Sequence, residues 1–263
     1  MRAGDGSVLA CARRARRIGG FSRAGSGALL AALAAGVTGC AGVKGADNAN
    51  LILGKQAFVA KCGACHTMAR ADTKGIAGPN LDAVFKSSVA EGLQRNAVRT
   101  AVEGQVQNPN PEGVMPANLA SGATLSDIAA YVAQSVDAHG PDTGLLATAV
   151  EAPGAGKPAV EKAGKLELDA SPTGQLAYTS SKAEASAGTV TITMANMSGV
   201  SHNIAVEEGE NGATQKAALL GASSFITKGS TSVTVNLKPG KYTFFCQAPG
   251  HRAAGMYGTI TVK

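Results

Sequence analysis

The chain has 263 residues, 44% of them hydrophobic and 16% charged, which is globular and long enough for one or two domains. The formal net charge of +6 invites a nucleic-acid reading, but residues 1–39 hold six arginines and one acid, leaving 18 basic and 17 acidic residues in the rest. The remainder has no basic run to follow a phosphate backbone, so a nucleic-acid partner is excluded as an expectation.

In chain order, the leader comes first. An arginine-rich segment precedes a short apolar run, Ala28 to Val37, the pattern of a signal peptide over residues 1–39. That run is too short to span a bilayer, and no later segment approaches 20 apolar residues, so no transmembrane span is expected in the mature chain. The run ends in Val37-Thr38-Gly39-Cys40, which resembles a bacterial lipobox. The resemblance implies lipidation at Cys40 and residues 40–47 as a tether. The protein would then be exported, to the periplasm or the outer face of the cytoplasmic membrane, and held at the membrane surface.

A helical pattern through Leu51, Gly54, Phe58 and Val59 leads into Cys62-Gly63-Ala64-Cys65-His66. This is C-x-x-C-H, the attachment motif of a c-type haem. Two thiols at this spacing reach the two vinyl groups of one porphyrin, and the adjacent imidazole reaches its iron. A redox dithiol or half a zinc site is the weaker reading, because no second cysteine pair follows. Further helices are predicted over 89–102 and from Thr124, the latter with Asp127 as its capping partner. Residues 48–140 resemble class I cytochromes c. Gly78-Pro79-Asn80-Leu81 is similar to that family's loop, which implies that the Pro79 carbonyl orients the ring of His66. Val114-Met115-Pro116 resembles the loop of the axial methionine, which implies Met115 as the sixth iron ligand. Met68 is too close to His66 in sequence to reach the opposite porphyrin face. Gly54, Phe58 and Tyr131 resemble the family's helix pairing. His/Met ligation fills both axial positions and favours electron transfer over substrate binding.

Residues 141–164 change composition and read as a Pro/Gly/Ala linker, a flexible tether. From 165 to 263 the apolar period becomes two: Val190, Ile192 and Met194, then Val233, Val235 and Leu237. Lys238-Pro239-Gly240 is a turn, and several short strands predict a β-sandwich. Of the five cysteines, Cys246 remains unassigned once leader, lipid and haem have taken theirs. His251 and Met256 follow it at intervals of five, and His202 lies 44 residues upstream. Two histidines, a thiolate and a methionine are the composition of a type 1 copper site. The stretch from Tyr242 to Met256, with Ser201-His202-Asn203, resembles the cupredoxins, plastocyanin-like blue copper proteins. The resemblance implies that Asn203 braces the ligand loop.

The predicted architecture is therefore two domains, an all-α cytochrome c fold followed by an all-β Greek-key sandwich. The expected function is single-electron transfer between other redox proteins or membrane respiratory or photosynthetic complexes, with haem c and type 1 copper as cofactors and no catalytic residues. A copper-dependent reductase or oxidase subunit is the weaker alternative. Of four histidines three are assigned, and His139 alone cannot build a second copper centre. A copper or haem sensor or chaperone is the remaining alternative, against which a fixed ligand loop argues.

Overall fold

The computed structural model describes residues 48–263. The leader, the tether and Cys40 lie outside the described residues.

The amino-terminal part is helical. Helix α1 (Leu51–Lys61) starts at Asn50, whose side chain accepts hydrogen bonds from the amides of Ile52 and Leu53. Two short strands, β1 (Thr67–Met68) and β2 (Thr73–Lys74), pair after the C-x-x-C-H turn. Helices α2 (Leu81–Ala90), α3 (Arg95–Gln107) and α4 (Gly122–Ser135) follow. The sequence predicted three helices. The structure adds α2 and starts α3 at Arg95 rather than Val89, because Gly92 adopts a left-handed φ of 97° and ends α2 there.

Helices α1 and α4 cross at Gly54. A Cβ on that glycine would lie 2.1 Å from the Asp127 carbonyl oxygen, so only glycine allows this approach. Phe58 and Tyr131 meet at the same crossing, with ring centroids 6.2 Å apart. Asp127 does not cap its own helix as expected. Its Oδ1 accepts the Asn50 amide at 2.7 Å and so ties α4 to the start of α1. Phe58, Val59, Met68, Val98, Ile128, Tyr131 and Val132 form the core, and Met68 is fully buried.

The connecting segment is not a free tether. Asp142 is buried and meets Lys55 Nζ at 3.0 Å, Arg70 Nη1 at 3.4 Å and the Tyr131 hydroxyl at 2.9 Å. Lys55 also donates to the Leu146 carbonyl, and Gln56 to that of Ala149. Further on, β3 (Ala159–Val160) joins the following domain's sheet. Composition suggested flexibility, but the backbone's polar groups find partners on both sides.

The carboxy-terminal part is a sandwich of two sheets. Strands β4 (Lys165–Glu167), β6 (Gly188–Asn196) and β9 (Gly229–Leu237) form one. The other has the order β3-β5-β11-β10-β7-β8, from β5 (Lys182–Ala185), β7 (Ala205–Glu208), β8 (Leu219–Ala222), β10 (Gly240–Phe245) and β11 (Tyr257–Val262). Along β6 the residues Val190, Ile192, Met194 and Asn196 are buried while the residues between them are half-buried, as the period of two predicts. The core joins Leu166, Leu168, Ile192, Met194, Leu237, Phe244 and Ile260. Met197 lies in an exposed turn, and His139 is exposed beyond α4. No helix among the described residues is long and apolar enough to cross a membrane.

Candidate metal centre

Two segments at one end of the sandwich bring the donor groups together. Cys246 follows β10, and its amide donates to the Met256 carbonyl at 3.1 Å. The chain then turns through Gly250 (φ 80°), a single helical turn α5 (His251–Ala254) and Gly255 (φ 116°) before β11. Both glycines occupy left-handed backbone that side chains resist, so this pair sets the Cys-His-Met spacing. His202 enters from the segment before β7, held by paired backbone bonds to Ile226 at 3.0 and 2.9 Å.

His202 Nδ1 and His251 Nδ1 are 3.2 Å apart, and Cys246 Sγ lies 3.9 Å from the first and 3.5 Å from the second. A point equidistant from these three atoms lies about 2 Å from each, an ordinary metal–donor distance. His202, Cys246 and Met256 are buried and His251 is half-buried. Two imidazoles and a thiol around one point, with a thioether beside them, form a soft donor set that fits copper. His202, Cys246 and His251 are also the group of potential metal-holding side chains found among the described residues.

The electrostatics suit this role. Burial, with a smaller contribution from His251, lowers the pKa of His202 to about 4. Burial also lowers that of His251. Both rings thus carry free lone pairs at neutral pH. Burial raises the Cys246 thiol, which the Ala248 amide partly offsets with a hydrogen bond to Sγ at 3.5 Å. Metal uptake must therefore displace the thiol proton.

A buried frame holds the loop. Asn203 Nδ2 donates to Gln247 Oε1 at 2.9 Å, and the Gln247 amide returns a bond to Asn203 Oδ1 at 2.9 Å. Asn203 thus braces the ligand loop. The Tyr178 hydroxyl secures it further by donating to the Asn203 carbonyl at 2.8 Å. A second brace has no counterpart in the sequence reading. Arg252, next to His251, donates through Nη2 to Glu207 Oε1 at 2.6 Å, and its guanidinium lies 3.9 Å over the Phe245 ring. Burial pushes the Glu207 carboxyl up, but the Arg252 and Asn211 hydrogen bonds and the Arg252 charge bring it below its usual range. The signal was a glutamate in the alternating segment after Ile204, at a position that turns out fully buried.

In the helical domain, the C-x-x-C-H segment forms a tight turn, with the His66 amide bonded to the Cys62 carbonyl at 2.9 Å. Cys62 and Cys65 form no disulfide with each other. Burial, and then the neighbouring Cys65, push Cys62 up to about 12. His66 Nδ1 lies 2.9 Å from the Pro79 carbonyl, which leaves Nε2 to face outward from that contact. A Cβ at Gly78 would fall 2.5 Å from the His66 ring, so glycine makes the cradle in which the ring rests. Met115 stands in the loop between α3 and α4, half-buried, with Sδ 3.8 Å from Gln105 Nε2.

Residues 165–263 match the family of copper binding proteins, plastocyanin/azurin family. The two-sheet sandwich, the donor set and the family match agree on a cupredoxin-type domain at these residues. Similar solved structures include reduced auracyanin from the photosynthetic bacterium Roseiflexus castenholzii, 24% identical over 39% of this chain and 99% of that one, with a TM-score of 0.35. Auracyanin B is 27% identical over 41% of this chain and 96% of that one (TM-score 0.32). Reduced rusticyanin is 22% identical over 40% and 83% (TM-score 0.33). No curated protein matches the chain.

Proposed function

We propose that the chain is an exported electron-transfer protein that carries one type 1 copper and one covalent haem c. It passes single electrons between other redox proteins or membrane respiratory or photosynthetic complexes. The observation that carries this reading is the convergence of His202 Nδ1, Cys246 Sγ and His251 Nδ1, all within 4.8 Å of one another. The C-x-x-C-H turn and the Pro79 contact to His66 support its haem half. When bound, each metal supplies a one-electron couple.

The chain's own residues hold the donors still. His202 and His251 present lone pairs, and Cys246 gives up its proton on metal uptake. Asn203 and Gln247 lock the loop from one side, and Glu207 and Arg252 from the other, so little has to move when charge changes. In the helical domain the Pro79 carbonyl orients the His66 ring, and His66 and Met115 would hold the haem iron. A lipid on Cys40 keeps the protein at the membrane surface; two or more acyl chains, at ~0.8 kcal/mol per buried methylene, give stable anchoring.

An optical redox titration of the mature protein tests the reading. Two reversible one-electron steps are expected, with low-spin six-coordinate haem bands and an intense thiolate-to-copper charge-transfer band. A missing copper band after copper loading removes the copper half, and a missing haem band removes the haem half. Turnover of nitrite or oxygen without a partner protein would replace the carrier reading with an enzyme.

A further inference from the structure

Among the described residues the two domains touch in the connecting segment, at Gly174 and at Ile76, and the last of these joins the two sites. The first is the connecting segment. Asp142, Leu146 and Ala149 bind it to the helical domain. Gln175 Nε2 reaches the Glu151 carbonyl at 3.0 Å, and the Gly156 amide donates to the Thr179 carbonyl at 2.9 Å. The second is a backbone contact: a Cβ on Gly174 (φ 77°) would fall 2.6 Å from the carbonyl oxygen of Ala60, in the last turn of α1 before Cys62. The third is Ile76 against Gly250. A Cβ on Gly250 would lie 2.5 Å from Ile76 Cδ1 and 2.9 Å from Cγ1, so the isoleucine tip rests directly on this glycine.

Ile76 and Gly250 occupy telling positions. Ile76 follows Gly75, whose Cβ would strike the Ala64 carbonyl oxygen at 2.4 Å, and precedes Gly78, which cradles the His66 ring and donates its amide to the Cys65 carbonyl at 2.8 Å. Gly250 is covalently joined to His251. The route from the haem-attachment turn to the copper-ligand loop thus has a single through-space step, Ile76 to Gly250. The described residues all fall in one compact unit. Ile76 is 69% exposed and stands outside the hydrophobic core, with its tip against Gly250.

We propose that the helical domain is docked on the copper-ligand loop, and that the Ile76–Gly250 contact is the passage for one electron between the two sites within a single chain. This rests on the two-centre reading above. The exchange is one electron: one centre goes from ferrous to ferric as the other goes from cupric to cuprous, or the reverse, with no bond made and no proton moved. Docking removes the search that a swinging tether would need.

The test uses the full holoprotein. One centre is reduced by a short pulse and the other is followed optically, while amide hydrogen exchange reports residues 248–252. The expected rate is independent of protein concentration. Ile76→Glu should slow it at least tenfold and speed amide exchange at 248–252, with both optical spectra unchanged. Because Ile76 is exposed, the substitution spares the core. Ile76→Ala should give a smaller change in the same direction. A rate proportional to protein concentration, or a wild-type rate in Ile76→Glu, overturns the proposal. Should the purified chain lack haem, the two-centre reading fails instead. The docking is then judged on exchange alone: faster exchange at 248–252 in Ile76→Glu upholds the contact, and unchanged exchange overturns it.

Discussion

The two candidate sites are built differently. The copper donors come from a loop of eleven residues and from the segment before β7, and Asn203, Gln247, Glu207 and Arg252 brace that loop. The haem-attachment residues come from a turn, and their expected axial partner Met115 from a loop between separate helices. Around them, α2 buries no side chain completely, and Ile76, Val84, Leu93 and Val114 are exposed. The β domain draws its stability from its own core, whereas the helical domain has a small core and leans on the α1–α4 crossing. A preformed metal site tolerates loss of its ion; a domain with little core of its own depends more on what it binds.

The largest expected effect follows from that contrast. Replacing Cys62 and Cys65 together by alanine should abolish covalent haem on a denaturing gel and lower the helical domain's melting transition by more than 10 °C, roughly 2 kcal/mol or more for a domain of this size. The β-domain transition should stay in place. An unmoved helical transition would break the comparison.

Glu207→Gln comes next. It leaves the buried Arg252 without its counter-charge, which costs about 3 kcal/mol or more. Chemical denaturation of the β domain measures it. The sign with pH is set by the lowered Glu207 carboxyl. Its contribution is complete above the ordinary value of 4.5 and is lost as pH falls through the lower folded value. In Glu207→Gln that acid-side loss should be reduced.

Cys246→Ala should eliminate the copper charge-transfer band yet change the apo β domain's stability by only about 1–2 kcal/mol, since the thiol packs as a small apolar group. Loss of the fold would show that the site is less self-supporting than its hydrogen bonds indicate. The smallest effect belongs to the exposed pair Lys241–Glu210, 2.5 Å apart. Lys241→Ala should leave the denaturation midpoint almost unmoved, with any loss confined to low salt.

Much of the β domain was legible because its signals are local. The period of two placed β6 and β9, and ligand order in sequence placed Cys246, His251 and Met256 on one loop. Asn203 was legible through the family resemblance. Glu207 and Arg252 were not, since a charged residue in a strand gives no sign of burial until its partner arrives from 45 residues away. In the helical domain Gly54, Phe58 and Tyr131 were readable as a crossing. Helix α2 was missed because its apolar residues make no complete stripe. The connecting segment misled because composition reports the unfolded chain's freedom and not the partners its amides later find.

Strand β3 has a consequence for where this chain can be divided. It lies parallel to β5 and forms the outer margin of the six-stranded sheet. Residues usually assigned to a connector therefore shield that margin from pairing with another molecule. A β domain cut at Lys165 would keep its copper ligands but lay β5 bare. Its self-association should rise with concentration, whereas a fragment begun before Pro158 should stay monomeric. The functional boundary of the cupredoxin domain thus lies upstream of its first sandwich-core strand.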